Sequence, residues 1–292
     1  MAALQTANIV GVAGTPPTGL ITYLTAGAYL DAEGAPRDGR RACIVEPFTS
    51  ATIVDSLKGL FMPQEAIAEQ YRKGLMGRDS AGMNWKMDQN VVSQTFGSSS
   101  TAVLSCNTST ATGFLTSGWA STSTIALSAT TAAGNLNVGD VIQIANVYAV
   151  NPQNRQAYGS NKLRNFVVTA AATVATSGTT SVTVSPAVIT AGQFQNVSVT
   201  SPGASTVTPF NNTGTVSPQN IIMHRNAFCL AVADLELPEG VHFAGRASDK
   251  EIGLSMRVVR QYTINNDSIP TRLDVLYGWA PLYPELACRV AA

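Results

Sequence analysis

The chain has 292 residues, of which 45% are hydrophobic and 12% are charged, and its formal net charge is zero. Soluble domains usually carry about twice that share of charged residues, so Ser, Thr, Asn and Gln, or other chains, must cover much of this surface. The balance excludes the basic excess that is typical of nucleic-acid-binding proteins. Zero net charge also removes the long-range repulsion that keeps copies of a protein apart.

The first 95 residues predict a compact α+β block. Residues 1–17 are small and apolar and contain several Gly and Pro, which indicates an irregular leader. A helix is expected to begin at Thr18 and to end near Glu33, because the following Gly34 is a typical stop. After it we expect a short strand over residues 42–46, a helix from Thr49 or Ser50, and a helix over residues 63–74.

Between residues 91 and 220 the composition changes sharply. Only four of these 130 residues are charged (Asp140, Arg155, Lys162 and Arg164), against 32 of the remaining 162. Strand-forming runs recur between Gly, Asn and Pro turns, at residues 102–106, 122–128, 141–150, 163–169, 181–185 and 197–200. This pattern predicts a small β barrel or sandwich. A disordered Ser/Thr-rich linker is the alternative, but Val, Ile and Phe return too regularly for one.

The last third of the chain contains the clearest strand signal. Residues 256–264 alternate with a period of two, residues 265–268 have turn chemistry, and residues 272–277 form a second strand. Because an isolated hairpin is marginally stable, we expect it to join a sheet that is completed by residues far earlier in the chain. Trp279 is expected to anchor this hairpin in the core.

The sequence contains no recognisable constellation of catalytic or metal-binding residues. His224 and His242 have no partner at a metal-ligand spacing, and no nucleophile or phosphate-loop motif is present. The four widely spaced cysteines are interpreted as reduced thiols of a cytoplasmic product. No apolar run approaches the roughly 18 residues that would span a bilayer. We therefore expect no catalytic residue, no cofactor, no metal and no membrane partner.

Four sequence segments in the last third of the chain are similar to a known family: HRNAFCLAVADLELPEG, RVVRQYTINND, PTRLDVLYGW and PELACRV. They resemble the carboxyl-terminal part of the major capsid (coat) proteins of tailed bacteriophages, in the family of the phage P22 coat protein. Residues 15–47 and 61–91 are similar to the axial domain of that family. Residues 124–154 are similar to the core strands of its insertion domain.

The resemblance implies an α+β Hong Kong 97-type capsid fold with an inserted all-β barrel or sandwich domain. Residues 1–95 would be the axial-domain-like part, residues 96–219 the insertion domain, and residues 220–292 the return strands that complete the axial and peripheral sheet. Family members have an amino-terminal arm, an extended loop and a spine helix upstream of the matched part. This chain is therefore expected to lack them and to have a fold that is incomplete at its amino terminus.

The implied function is structural, without enzymatic activity: self-assembly into the capsomers of an icosahedral phage head. The implied partners are further copies of the chain, a scaffolding protein, the portal, and packaged DNA bound without sequence specificity, in a virion assembled in the host cytoplasm. Because insertion-domain loops touch neighbouring subunits in the family, Arg155, Lys162 and Arg164 are candidate subunit-interface residues. The alternative is a β-rich virion decoration or carbohydrate-binding module, in which residues 91–220 hold the function.

Overall fold

The computed structural model describes residues 2–56, 74, 80–99, 102–107, 113–158, 162–199, 204–211, 213–249, 251 and 253–292. Residues 63–73 of the predicted third helix lie outside the described residues. By its internal contacts the chain divides into two units, one of residues 1–227 with 283–292 and one of residues 228–282. Among the described residues strands predominate and helices are few.

Both ends of the chain contribute to one mixed sheet in the first unit. Its strands lie in the order β1 (Ile9–Gly11), β20 (Ala287–Ala291), β14 (Val216–His224), β2 (Arg41–Val45) and β3 (Asn84–Met87), and β4 (Ser93–Thr95) also pairs with β14. β1 is parallel to β20 and β2 is parallel to β3, whereas β14 is antiparallel to its neighbours. β1 and β20, from opposite ends of the chain, are therefore neighbours in one sheet.

Two helices belong to this first unit. Helix α1 (Leu20–Ala32) packs on β1, β14 and β20, and it buries Tyr23, Ala26 and Leu30, which share one face at helical spacing. Gly34, with a φ of +77°, follows the helix end as predicted. Helix α2 (Pro47–Ser56) begins earlier than predicted, because proline is tolerated in the first turn of a helix. Short 3₁₀ helices cover Ala2–Gln5 and Pro284–Leu286.

The middle of the chain forms a closed β barrel. Its sheet has the order β12 (Val197–Val199), β8 (Val141–Ala149), β13 (Ala204–Pro209), β5 (Leu104–Asn107), β6 (Ser123–Ala129), β11 (Thr180–Ser185) and β9 (Leu163–Val168). β9 also pairs with β8, which closes six of these strands into a ring. β7 (Gly134–Leu136) and β10 (Ala172–Val174) form a separate pair. We call residues 104–209 the central barrel, and its predicted strands are confirmed within about two residues.

The barrel has a hydrophobic core of its own. Every second residue of its strands points inward, and a cluster including Leu104, Ile125, Ile144, Phe166 and Val182 is fully buried. β8 contains a bulge at Asn146, where φ is +64° and the register to β9 shifts. The alternation of buried and exposed positions explains why these strands could be recognised from sequence.

The chain leaves the mixed sheet and returns to it at neighbouring positions. Residues 93–95 of β4 pair with residues 216–218 of β14, and Ser98 forms a bridge with Thr213. The Phe96 amide donates to the Thr215 carbonyl at 3.0 Å, and the Gly214 amide donates to the Gly97 carbonyl at 3.1 Å. The two strands that connect the central barrel to the rest of the unit therefore lie side by side.

The second unit contains two small antiparallel sheets. One has the strand order β16 (Phe243–Asp249), β17 (Leu254–Arg260) and β18 (Thr271–Asp274). The other is a two-stranded ribbon of β15 (Phe228–Ala233) and β19 (Leu276–Pro281). The single strand predicted over residues 272–277 is interrupted at Val275, so its two parts belong to different strands, β18 and β19.

The predicted partner of the terminal hairpin is wrong. β17 pairs with β16 and β18 inside the second unit, and it is β14 and β20 that join residues from early in the chain. A period of two identifies a strand and its faces but carries no information about the strand beside it. Trp279 is 48% exposed on β19, so its predicted burial in the core is also wrong. No described helix is long and apolar enough to cross a membrane.

Candidate functional site

The three-stranded sheet of the second unit has one mainly apolar face and one face that carries most of its charges. Cross-strand register places Phe243, Leu254, Met256, Val258 and Leu273 on the same side, which we call the apolar sheet face. Two exposed charged residues, Arg260 opposite Phe243 and Asp249 opposite Leu254, lie at the ends of this face. Phe243 and Leu273 are 54% and 64% exposed, although side chains of this size are normally buried. The face is therefore a contiguous apolar surface rather than a single exposed residue.

The opposite face of that sheet holds arginines and a carboxylate. Asp274 accepts from Arg257 Nη2 and Arg272 Nε at 2.5 Å each, and Arg246 lies 3.6 Å from Asp234. The hydrogen bonds from Arg257 and Arg272 hold the pKa of Asp274 below its usual value. Most charges of the sheet are therefore paired on this side, whereas large apolar groups are exposed on the other.

The ribbon of β15 and β19 also has two different faces, which are distinguished by the size of their side chains rather than by charge. Leu230 lies opposite Trp279 and Val232 lies opposite Tyr277, with Phe228 next to them; we call these five residues the apolar ribbon face. Leu230 and Tyr277 are 60% and 62% exposed. The other side of the ribbon carries the small residues Cys229, Ala231, Ala233, Gly278 and Ala280, together with Leu276. Ser255 is the one buried residue among the described residues of the second unit.

The three predicted interface residues lie in different surroundings. Arg155 is exposed at the tip of the loop after β8, with a φ of +58°. Lys162 Nζ lies 3.2 Å from the centroid of the Tyr29 ring, and burial lowers the pKa of this ammonium. Arg164 forms an ion pair with Glu33, the residue that ends helix α1. The interface role of the three residues stays a prediction, since the observed partners of Lys162 and Arg164 belong to the same chain.

The contacts of Lys162 and Arg164 form part of a clamp between the central barrel and helix α1. Tyr158 OH also donates to the carbonyl of Ala32 at 2.5 Å, so three side chains of the barrel meet the last turn of the helix. The Arg164 and Glu33 side chains are only 8% and 12% exposed. Sequence reasoning identified these rare charges as candidate interface residues, with Lys162 in a loop and Arg164 in a strand, but no local pattern shows the helix end opposite them.

Arg289 and Asp140 are buried functional candidates that sequence reasoning missed. Arg289 is fully buried in β20, and Asp140, at the start of β8, is 1% exposed. A charge within the apolar strand sequence ACRVA and a lone acid in a nearly uncharged region were the available signals. Charges at such positions are rarely buried unless they are paired.

The titratable side chains of the described residues are mostly engaged with one another. No group of three or more His, Cys, Asp or Glu that could hold a metal ion occurs in the described part of the chain. His224 is 1% exposed, and its Nε2 lies 3.2 Å from Asp38 Oδ1. A cavity of about 380 Å³ beside helix α1 contains Asp31, Arg37 and Arg41, but the two arginines already pair with that aspartate. These polar groups satisfy one another.

A family profile described as "P22 coat protein - gene protein 5" matches residues 2–289. The chain belongs to the P22 coat protein family. No curated protein matches the chain. The resemblance expected from the four phrases is confirmed, and the match extends over the barrel and both of its flanks. A function confined to residues 91–220, as a decoration or carbohydrate-binding module, is therefore not supported.

Membership in the family assigns the function at a coarse level. The protein is a major capsid protein, a structural subunit of a phage head. Coat proteins act in the virion capsid as oligomers, so the surfaces that matter are those that one copy presents to another. Large exposed apolar faces are typical of such surfaces.

Proposed function

We propose that this coat protein self-assembles into the capsomers of an icosahedral head by covering the apolar sheet face and the apolar ribbon face with further copies of the chain. The observation that carries the proposal is the exposure of both faces in a unit whose described residues bury almost nothing of their own. A segment of 55 residues without a buried core or a disulfide is marginal in isolation. Contacts with other chains would supply the missing burial.

Magnitudes support this role. Complete burial of a large apolar side chain is worth about 1.5–3 kcal/mol, so covering a half-exposed one contributes roughly 1 kcal/mol. Phe243, Leu254, Met256 and Leu273 are each 41–64% exposed, which amounts to about 4 kcal/mol per copy before ordering costs. Such contacts are weak singly and become strong when they repeat around a closed ring. Incorrect contacts can then dissociate before a shell is complete.

A second copy is the occupant that fits these faces best. The formal net charge of zero leaves no long-range repulsion between copies, and Arg246, Arg257 and Arg272 pair with carboxylates on the opposite side of the sheet. The five residues of the apolar sheet face are uncharged, and Arg260 and Asp249 at the ends of the same side carry opposite charges that sum to zero. Every subunit of a shell presents the same faces, so one type of contact between copies, repeated through the shell, buries these faces in every subunit.

We also propose the finer architecture and partners. The closed barrel, with its adjacent connecting strands, supports an insertion domain within a Hong Kong 97-type fold, since a module whose ends lie close together can interrupt a loop at small entropic cost. Residues 1–95 and 220–292 would then form the axial and peripheral parts around it. A scaffolding protein, the portal and packaged DNA would be partners during assembly in the host cytoplasm, the DNA without sequence-specific contacts.

Sedimentation velocity over a range of concentrations tests the assembly proposal. We expect the unmodified chain to associate and the double variant Leu273→Asp/Trp279→Ser to weaken association at least about tenfold, because about 2 kcal/mol of burial is lost. Trp119→Ser is the matched control, since Trp119 is 70% exposed but lies outside both faces. Circular dichroism verifies that all three proteins are folded. Equal association of the double variant and the control, or a chain that stays monomeric at every concentration, would refute the proposal.

A further inference from the structure

A chain of buried polar side chains crosses the junction between the mixed sheet and the central barrel. Arg289 projects from β20, where it is fully buried between β1 and β14. Its Nη1 donates to Gln94 Oε1 at 2.6 Å, and its Nη2 donates to the carbonyl of Gly139 at 2.8 Å. Gly139 lies in the turn two residues before β8 of the barrel. One guanidinium therefore joins the last strand of the mixed sheet to β4 and to the barrel.

Gln94 links the two charges by presenting a different end to each. Its Oε1 accepts from Arg289, and its Nε2 donates to Asp140 Oδ1 at 2.9 Å. A guanidinium can only donate and a carboxylate can only accept, so the orientation of the amide is determined by both neighbours at once. Gln94 is 3% exposed, which leaves water little access to replace either bond.

Asp140 holds the other end of the chain in a fixed position. Its Oδ2 accepts from the backbone amides of Gly97 at 3.0 Å and Asn137 at 2.8 Å. Gly97 lies in the segment that leaves the mixed sheet, and Asn137 lies in the turn before β8. A Cβ at Gly97 would lie 2.7 Å from Asp140 Oδ2 and 2.0 Å from the Asn135 carbonyl oxygen, so the backbone must approach here without a side chain.

Apolar packing from both sides surrounds these polar bonds. Phe96, Ile9 and Ala291 meet Val141 and Val167 of the barrel in one buried cluster. Apolar contacts tolerate small sliding movements, whereas the hydrogen bonds of Arg289 Nη1 and Nη2, Gln94 and Asp140 form in only one relative position of the barrel and the mixed sheet. Arg289 Nε, also buried, has no hydrogen-bond partner among the described residues. Displacement would leave a charge buried without its partner, and such a state is strongly unfavourable.

We propose that Arg289, Gln94 and Asp140 are positioning residues that hold the central barrel in one orientation on the mixed sheet and make the two unfold together. A shell subunit built this way presents the barrel at the same angle in every copy. The role is distinct from the apolar faces of the second unit, because it acts within one chain and before any contact with another copy.

Gln94→Met is the decisive variant, because it keeps the length of the side chain and removes both bonds. Gln219→Met is its matched control: Gln219 is also buried in this sheet, but its Nε2 bonds only Ser217 of its own strand. Hydrogen exchange measured on the full chain compares β8 amides of the barrel with β20 amides of the mixed sheet. We expect similar protection in the unmodified chain and in the control. In Gln94→Met the protection factors of the β8 amides and the β20 amides should differ at least tenfold.

Spin-label distances provide the orientation readout. With labels at Ser177 in the barrel and Lys86 in the mixed sheet, both exposed, and Cys229→Ser as background, we expect one narrow distance distribution that broadens in Gln94→Met only. If Gln94→Met does not fold, Arg289→Lys keeps the charge, breaks the forked contact and should show the same divergence more weakly. A narrow distribution together with equal protection in the variant that folds would overturn the proposal.

Discussion

Arg164→Met separates an intramolecular role for this arginine from a role between subunits. Arg164 of β9 pairs with Glu33 at the end of helix α1, and both side chains are nearly buried. Glu285 lies close enough for its pKa to respond to both residues, with Arg164 lowering it and Glu33 raising it. Removal of the arginine therefore leaves two carboxylates near each other without their shared cation.

The size of the effect follows from this burial. Removing one partner of a fully buried ion pair costs about 3–5 kcal/mol. The Glu33 side chain keeps 12% of its exposure, so partial solvation should reduce the cost to about 2–3 kcal/mol. For a unit of this size we expect the unfolding temperature to fall by roughly 5–10 °C. Glu33→Gln should lower the free energy of unfolding by a similar amount. The double variant should lower it by less than the sum of the two single variants, because the two residues contact each other.

Chemical denaturation at several protein concentrations measures these losses. An intramolecular ion pair predicts destabilisation that does not depend on concentration, together with a coupling of about 1–2 kcal/mol in the double-mutant cycle. Arg155→Met is the control, because Arg155 is exposed on the neighbouring loop. Unchanged monomer stability in Arg164→Met, with weakened association instead, would refute the reasoning and support the interface prediction.

Three further outcomes are expected. Burial is the main cause that raises the pKa of Glu285 above its ordinary value of 4.5, so the folded state binds the proton more tightly than the unfolded state. The stability of the fold therefore falls as pH rises from 4.5 through the raised pKa. We expect Glu285→Gln to be more stable than the parent at pH 7 and equally stable at pH 3.5, as measured by denaturation at both pH values. Gly97→Ala should lower the free energy of unfolding by several kcal/mol, because its Cβ would overlap the Asn135 carbonyl. Gly27→Ala in helix α1, with open space around it, should raise that free energy by about 0.5–1 kcal/mol. Thermal denaturation measures both changes. A fragment of residues 97–214 should unfold cooperatively by circular dichroism, because the barrel core comes from its own strands, and a non-cooperative transition would contradict this.

Local patterns located α1, α2, β2 and six strands of the barrel, but not β1, β3, β4, β7, β10 or β13. The strands of the barrel alternate between buried and exposed residues, so a period of two located them, and Gly34 ended helix α1 where expected. The pairing of distant strands was only partly foreseen. β20 lies mostly within the segment PELACRV, yet its role in the mixed sheet depends on β14 and on β1, which lies at the other end of the chain.

The second unit shows the limit of reasoning from apolar patterns. The alternation over residues 256–264 indicated an apolar strand face, and the sheet register confirms such a face. The hairpin was expected to join a sheet with residues from early in the chain, whereas Leu273 and Phe243 of its apolar face are more than half exposed. An apolar face in a shell subunit can be covered by another chain, and the sequence of one chain does not distinguish the two cases.

The sequence by itself determined the class of the protein: its phrases match one family, its charge excludes a basic nucleic-acid binder, and its periodicity marks the strands. The tertiary structure alone decided which charges meet. Arg164 reaches Glu33 across 131 residues and Arg289 reaches Gln94 across 195, and no local pattern records such pairs. Local propensities act over a few residues, whereas a buried charge is stabilised by whichever partner the completed fold places beside it.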